Sequence, residues 1–279
     1  MKRASAIPKF GKEVVLQAAK LSNPEARFLV SNYYMAQEMR KRCDMQLRHI
    51  GEKDFPEVLN RTSDSFAIIE SEVQKSLKAY AESSLIGRWI MSHYMIGPVI
   101  AAGCIAHLDI EKAASAGHFW TFCGLNPEKR RWGKGEKRPF NADMRQIMFH
   151  MGECAKRGSG VEHCFYGQIY KARKAFLVKR NEEGYNRERA KTYTTTSANV
   201  RKVLADGKLP PGNIDSQAMN YAAKIFLSHL HAVMFYDWFG AVPEKPYAIT
   251  ILGHVDLIRV PNGDMFPGFE EAYYRPRTV

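Results

Sequence analysis

Long hydrophobic runs are missing from this sequence. No apolar stretch approaches the roughly 18 residues that a membrane span needs, so a membrane-crossing chain is not expected. Cysteine is scarce and unpatterned: the five thiols are odd in number and include no CxxC pair, which argues against a disulfide framework and for a reducing compartment. The opening residues, MKRASAIPKFGKEVV, lack the apolar core of a signal peptide, so a cytoplasmic location is expected. Familiar catalytic signatures are absent as well: no GxxxxGK[ST], no GxSxG and no HExxH. Acidic residues are the minority charge, 29 Asp and Glu against 41 Lys and Arg, which leaves a net charge of +12. Such an excess favours a polyanionic partner, nucleic acid first and an anionic membrane surface second.

What is present is a folded, helical pattern. A chain of 279 residues, 45% of them hydrophobic, is large enough for one big domain or two modest ones. Residues 1–20 read as a polar tail that enters a helix near Gly11. Ser22-Asn23-Pro24-Glu25 is a helix start, because Ser or Asn can cap and Pro suits the first turn. From Glu25 to Arg48 the apolar residues recur at helical spacing, with Arg40, Lys41, Arg42 and Arg48 forming a basic side. Gly51 to Thr62 breaks the pattern around Pro56, and a second helix is expected from Phe66 to Ser83. An antiparallel helical hairpin is the simplest arrangement for 25–83.

The chain is organised around Leu85 to Asn126. A helix-like run, Leu85 to Tyr94, reaches Met95-Ile96-Gly97-Pro98, and a second, small-residue run extends from Val99 to Leu108. Gly97 is expected to take a φ > 0 turn position and Pro98 the first turn of the next helix. Ala101, Ala102, Gly103 and Ala106 would let a neighbour pack very close. A glycine turn feeding a helix N-terminus can also aim backbone N–H groups at a phosphate.

The most basic loop comes next, from Pro127 to Arg138. Lys129, Arg130, Arg131, Lys134, Lys137 and Arg138 flank Trp132 and two glycines. Cations interleaved with an aromatic suit phosphate contact plus stacking. Further helices are expected over Asn141 to Lys156 and Phe165 to Arg180. The latter carries Lys171, Arg173, Lys174, Lys179 and Arg180 beside Tyr166, Tyr170 and Phe176. Residues 181–199 read as polar loop. Ile214 to Phe239 reads as one long helix stopped by Gly240, with Pro243 and Pro246 beyond it. The tail from Tyr247, with AITILGHV and LIRV, is expected to be extended or irregular.

Candidates for chemistry are few. His150, Cys154, His163 and Cys164 have the residue types of a tetrahedral zinc site, although buried thiols and partnered histidines are the commoner outcome at such spacings. His229 and His231 are two apart on one helix, cannot share a face, and His229 reads as a hydrogen-bonded interior residue. Ser159, between two glycines, is the weak candidate nucleophile, with His150 or His163 as its base.

The run MIGPVIAAGCIAHLDIEKAASAGHFWTFCGLNP resembles the C-terminal domain of transposases of the insertion-sequence 110/116/902 family. That domain shows a Gly-Ile-Gly-Pro turn, an alanine-rich helix, an acidic residue and an aromatic–x–x–Gly-Leu-x-Pro block. The counterparts here are Ile96-Gly97-Pro98, Ala101-Ala102, Asp109 and Phe122-Cys123-Gly124-Leu125-Asn126-Pro127, with Met95 in place of the first glycine. The likeness covers about 85–180, and the long helix with PYAITILGH looks like the tail of standalone relatives in mobile elements and phages. The resemblance implies a helix–hairpin–helix that binds DNA. Full-length members also carry an N-terminal RuvC-like domain with four metal-binding acids, for which residues 1–84 are too short and too helical in pattern. The family's catalytic serine comes after the Gly-Leu-x-Pro block, and Glu128 to Arg138 contains none.

The expected protein is therefore mainly α: a helical region over 1–84, a helix–hairpin–helix DNA-binding domain over 85–180, a polar loop or linker over 181–212, and a long helix with its tail over 213–279. Its expected activity is DNA binding without a complete catalytic centre. Gly97, Pro98, Lys129, Arg130, Arg131, Trp132, Lys134, Lys137, Arg138, Lys171, Arg173 and Lys174 are the expected contacts. DNA is the first partner and structured RNA the second, with no membrane and with self-association open. No metal or cofactor is expected, Mg²⁺ entering only if strands are cut. The competing reading is a transposase or recombinase that cleaves and transfers strands with a partner or through Ser159. A third is an assembly protein on membrane surfaces.

Overall fold

The computed structural model describes residues 9–50, 56–129, 132–244 and 257–275. Arg130 and Arg131 of the basic loop and the AITILGHV segment of the tail lie outside the described residues. The fold is mainly α, and among the described residues there is no strand. The helices are α1 (Lys12–Gln17), α2 (Asn23–Ile50), α3 (Glu57–Glu82), α4 (Leu85–Met91), α5 (Pro98–His107), α6 (Ala116–Phe122), α7 (Ala142–Arg157), α8 (Phe165–Glu182), α9 (Arg187–Lys191), α10 (Ala198–Ala205), α11 (Pro211–Phe239) and α12 (Phe269–Tyr274). Contacts divide the chain into two compact units: Met1–Ser92 with Gly97–Asp109, and His93–Ile96 with Ile110–Val279. The division runs through the 85–180 segment that the sequence presents as one domain.

In the first unit, α2 starts where the sequence places it: the Ser22 hydroxyl and amide both donate to the Glu25 carboxylate, at 2.6 and 2.8 Å. Its buried positions, Ala26, Val30, Tyr33 and Ala36, keep helical spacing and face α3, whose Val73, Leu77, Tyr80 and Ala81 are buried in turn. Polar pairs fix an antiparallel register. The Tyr80 hydroxyl donates to Asn23 Oδ1 (2.8 Å), Gln37 Nε2 to Glu70 Oε1 (2.9 Å), Arg40 Nε to Glu70 Oε2 (2.5 Å) and Ser63 Oγ to Asp44 Oδ1 (2.8 Å). Helix α3 begins nine residues before the expected Phe66. Pro56 is its N-cap, and Thr62 lies inside it with its hydroxyl donating to the Val58 carbonyl. A proline ahead of the first helical residue opens a helix rather than breaking one.

Helix α5 packs on α2, α3 and α4, and its small residues are the reason the approach is close: Ala101, Ala102, Cys104 and Ala106 have no exposed surface. Arg27 Nε donates to the Ala106 carbonyl at 2.6 Å, satisfying one of the open carbonyls at the end of α5. Gly87 in α4 is needed for packing, since a β-carbon there would sit 1.9 Å from the Ala81 carbonyl oxygen.

The second unit is built around α11, on which α6, α7 and α8 pack. Helix α11 is buried nearly all round, from Ile214 through Ala218, Ala222, Phe226 and Leu230 to Val233, and stops at Gly240 with φ +64. Helix α7 buries Met144, Ile147, Met148 and Met151. Its N-cap, Asn141, accepts from the Met144 amide at 2.9 Å. The stretch 181–212 is no structureless linker, because α9 and α10 lie within it. It is tied down by buried Asn181, whose side chain donates to the Leu209 carbonyl and accepts from the Leu209 amide. The tail holds a short 3₁₀ turn at Gly263–Met265 and then α12, with Phe269 and Tyr273 buried and stacked at 5.1 Å.

Candidate functional site

The turn expected to present backbone amides is His93–Ile96 with Gly97 after it at the N-cap of α5. The strained position is Met95, with φ +70. Gly97 sits at φ −98 and ψ 176, an extended conformation open to any residue, and a β-carbon there would meet nothing within 4 Å. The expectation that Gly97 carries the φ > 0 conformation is therefore corrected: the chain reverses before it, at Met95, and Gly97 supplies only the extended N-cap. Pro98 takes the first turn of α5 as expected, and no side chain caps that N-terminus.

The basic loop is anchored by aromatic contacts. Helix α6 ends in a Schellman motif: the Leu125 amide donates to the Trp120 carbonyl and the Gly124 amide to the Thr121 carbonyl, with Gly124 at φ +65. A β-carbon on Gly124 would meet the Phe140 ring at 2.8 Å, so Phe140 folds over this turn. Trp132 meets Phe140 edge to face at 5.4 Å, and the Arg138 guanidinium lies 5.5 Å from the Trp132 ring and 5.7 Å from Phe140. The Gly133 amide donates to Glu136, which tightens the loop. Trp132 remains 47% exposed, enough to leave part of the indole for a ligand. Lys129, Lys134 and Lys137 are exposed, and among the described residues none of them forms an ion pair.

A third feature joins residues that the sequence keeps apart. Between α7 and α8 lies an open groove of about 640 Å³ lined by Lys156, Ser159, Tyr170, Lys171, Lys174 and Lys179. One carboxylate from α11 serves it. Asp215 accepts from Lys156 (2.9 Å), Lys174 (2.7 Å) and the Tyr170 hydroxyl (2.7 Å). Burial works to raise the Asp215 pKa, but the hydrogen bonds from Lys174, Lys156 and Tyr170 outweigh it and hold the carboxyl far below the usual range. Hydrogen bonding to Asp215 raises both lysines in turn, so each stays protonated and neither is available as a general base. Two lysines share Asp215, Lys179 lies 3.9 Å from Glu183, and Lys171 has no ion pair among the described residues, so the groove keeps a surplus of positive charge.

Ser159 lies on this groove, half-buried in the 3₁₀ turn Gly158–Gly160. Gly158 is there for packing, because a β-carbon would meet Cys164 Sγ at 2.3 Å. Among the described residues no hydrogen bond reaches the Ser159 hydroxyl. Of the two histidines that could serve as its base, His163 meets Tyr94 edge to face at 4.6 Å and His150 meets Phe149 edge to face at 5.7 Å. Cys164 Sγ faces the Tyr94 carbonyl at 3.8 Å, and among the described residues no three of His, Cys, Asp and Glu gather as a metal-binding group.

Arg173, expected on a phosphate, has a different setting. Its guanidinium lies 4.6 Å from the Tyr221 ring and 5.0 Å from Phe176. Arg180 repeats the arrangement, 5.3 Å from Phe176 and 3.2 Å from Tyr185. Lys156 and Asp215 are the groove residues that sequence reasoning missed: tertiary packing brings them together, and no local pattern marks them. Tyr221, from α11, and Tyr185, five residues after Arg180, supply the rings beside the two arginines. No protein-family model matches the chain, and no curated protein or solved structure is significantly similar to it.

Proposed function

We propose that this protein binds nucleic acid, DNA before structured RNA, by holding the phosphate backbone against the second unit. The observation that carries the reading is the α7–α8 groove, where four lysines line a channel, two of them share the α11 carboxylate Asp215 and one lies beside Glu183. Ammonium groups paired this way remain charged at every physiological pH, and release of counterions from the phosphates they neutralise drives binding. The loop with Lys129, Lys134, Lys137 and Arg138 adds exposed cations beside a half-exposed indole. Descent from transposases of the insertion-sequence 110/116/902 family is part of the proposal. Two backbone facts support it: Met95 is left-handed where that family has its first turn glycine, and Gly124 is left-handed in the Gly-Leu-x-Pro block. Among the described residues no helix is long and apolar enough to cross a membrane.

A second reading, strand cleavage and transfer through Ser159, is favoured by one observation: the serine lines the same groove. A serine nucleophile also needs an activating base or metal, and the protonated lysines beside it supply neither.

Duplex binding at several salt concentrations tests the main reading. Wild type should lose affinity steeply with salt, and Lys171→Ala with Lys179→Ala should flatten the log–log slope by about one unit per lost phosphate contact. A slope unchanged in the double variant overturns the groove as the interface. Nicking of supercoiled plasmid in Mg²⁺ that vanishes in Ser159→Ala would establish the second reading instead.

A further inference from the structure

Helix α8 has two unlike flanks. At 100° per residue, Lys171, Lys174 and Val178 project on one side and Arg173, Phe176 and Arg180 on the other, with the buried Tyr166, Tyr170 and Leu177 between them. The first flank is the lysine groove. The second is a ladder in which cations and rings alternate: Tyr221, Arg173, Phe176, Arg180, Tyr185. Resting on the nucleic-acid reading above, we propose that the preferred ligand is an unpaired strand, with phosphates in the lysine groove and bases stacked on the arginine–aromatic ladder.

Three observations carry this. Phe176 is 45% exposed and Tyr185 70%, so the ladder keeps aromatic surface open to solvent. Neither Arg173 nor Arg180 has a carboxylate partner among the described residues, Arg173 Nε is buried without a hydrogen-bond acceptor, and both guanidinium groups lie over aromatic rings. A structural arginine on a basic surface more often pairs with an acid. Flat, delocalised cations laid on rings form a platform for the π-faces of bases and leave sequence unread. A duplex hides those faces inside its own stack and can use only the lysines. An unpaired strand crossing α8 uses both flanks, since the helix is only about 10–12 Å across.

The test measures fluorescence anisotropy of the full chain, at one salt concentration, with oligo(dT), oligo(U) and a duplex of equal phosphate count. Either single strand, or both, should bind at least several-fold more tightly than the duplex; which one does identifies the source of the unpaired nucleotides. Phe176→Ala with Tyr185→Ala should weaken single-strand binding by about tenfold or more, in line with the loss of stacked bases, and leave duplex binding unchanged. Tyr185→Phe should retain wild-type affinity, because stacking needs the ring and not the hydroxyl. Both aromatics are exposed, and a thermal melt confirms that the variants fold. Single strands that bind no better than the duplex overturn the inference while leaving the groove reading intact, as does a double variant that weakens all ligands alike. Absence of binding to any of the three overturns both.

Discussion

Tyr166 donates its hydroxyl hydrogen to Nδ1 of His229 across 3.1 Å, inside the second unit. The direction is fixed by the other ring nitrogen. His229 Nε2 lies 3.1 Å from the Ile258 carbonyl oxygen, which can only accept, so Nε2 carries the hydrogen and Nδ1 receives one. The neutral ring thus links α8, α11 and the C-terminal segment. His93 meets Tyr166 edge to face at 5.3 Å, and Asn262 Nδ2 lies 3.4 Å from His93 Nδ1. Burial opposes placing a charge on either histidine.

Stability should therefore fall on mild acidification. Burial lowers His93 to about 4 and His229 to about 3, His229 being opposed by its bond to Ile258 and further lowered by His93. An unfolded chain protonates these rings near pH 6.5. Below that value the unfolded state binds more protons, so stability drops as pH falls, by at most about 1.4 kcal/mol per pH unit for each histidine. Asp215, held low, keeps its contribution above pH about 4 and does not enter this window. Urea midpoints at pH 7.5, 6 and 5 check this. A constant midpoint across that range contradicts the buried neutral network.

The turn before α5 inverts the expectation for two nearby residues. Met95 at φ +70 bears a cost of about 1–2 kcal/mol for its β-carbon, while glycine there loses about 0.5–1 kcal/mol in entropy. Met95→Gly should be neutral or slightly stabilising. Gly97 occupies an extended N-cap with open space around its α-carbon, so Gly97→Ser should be tolerated and gain a few tenths of a kcal/mol by capping. Thermal melts decide it. A loss above about 1 kcal/mol in Gly97→Ser restores Gly97 as the constrained residue.

Periodicity and punctuation make most helices legible. The apolar spacing of α2, α7 and α11, the Asn141 cap and the Gly240 stop all act within a few residues, and local chemistry decides them. The start of α3 is harder to read, because a proline such as Pro56 can either break a helix or open one, and the residues after it decide which. Helices α9 and α10 are hidden in polar sequence because Asn181, 28 residues from Leu209, stabilises that stretch. The site divides the same way. The basic loop and the cations of α8 are clusters visible in the sequence. The Asp215 link to Lys156 spans 59 residues, and the stacking of Arg173 on Tyr221 exists only because α8 lies on α11.

Asp215 offers the sharpest separation of stability from binding. Its carboxylate ties α7 and α8 to α11 through Lys156, Lys174 and Tyr170, and it also neutralises part of the groove. Asn has nearly the same shape but no charge. Asp215→Asn should cost stability, because hydrogen bonds to an anion become weaker neutral ones. The lysine side chains are over 40% exposed, which screens the pairs and limits the loss to about 1–2 kcal/mol. The same change frees Lys156 and Lys174 for phosphates. Duplex affinity at low salt should rise, and the salt slope should steepen by about one unit. The two effects run in opposite directions, so a general loosening of the fold cannot imitate them. If Asp215→Asn lowers stability and affinity together, the Lys156–Asp215–Lys174 cluster serves only to join three helices, and the phosphate contacts belong to the Lys129–Arg138 loop alone.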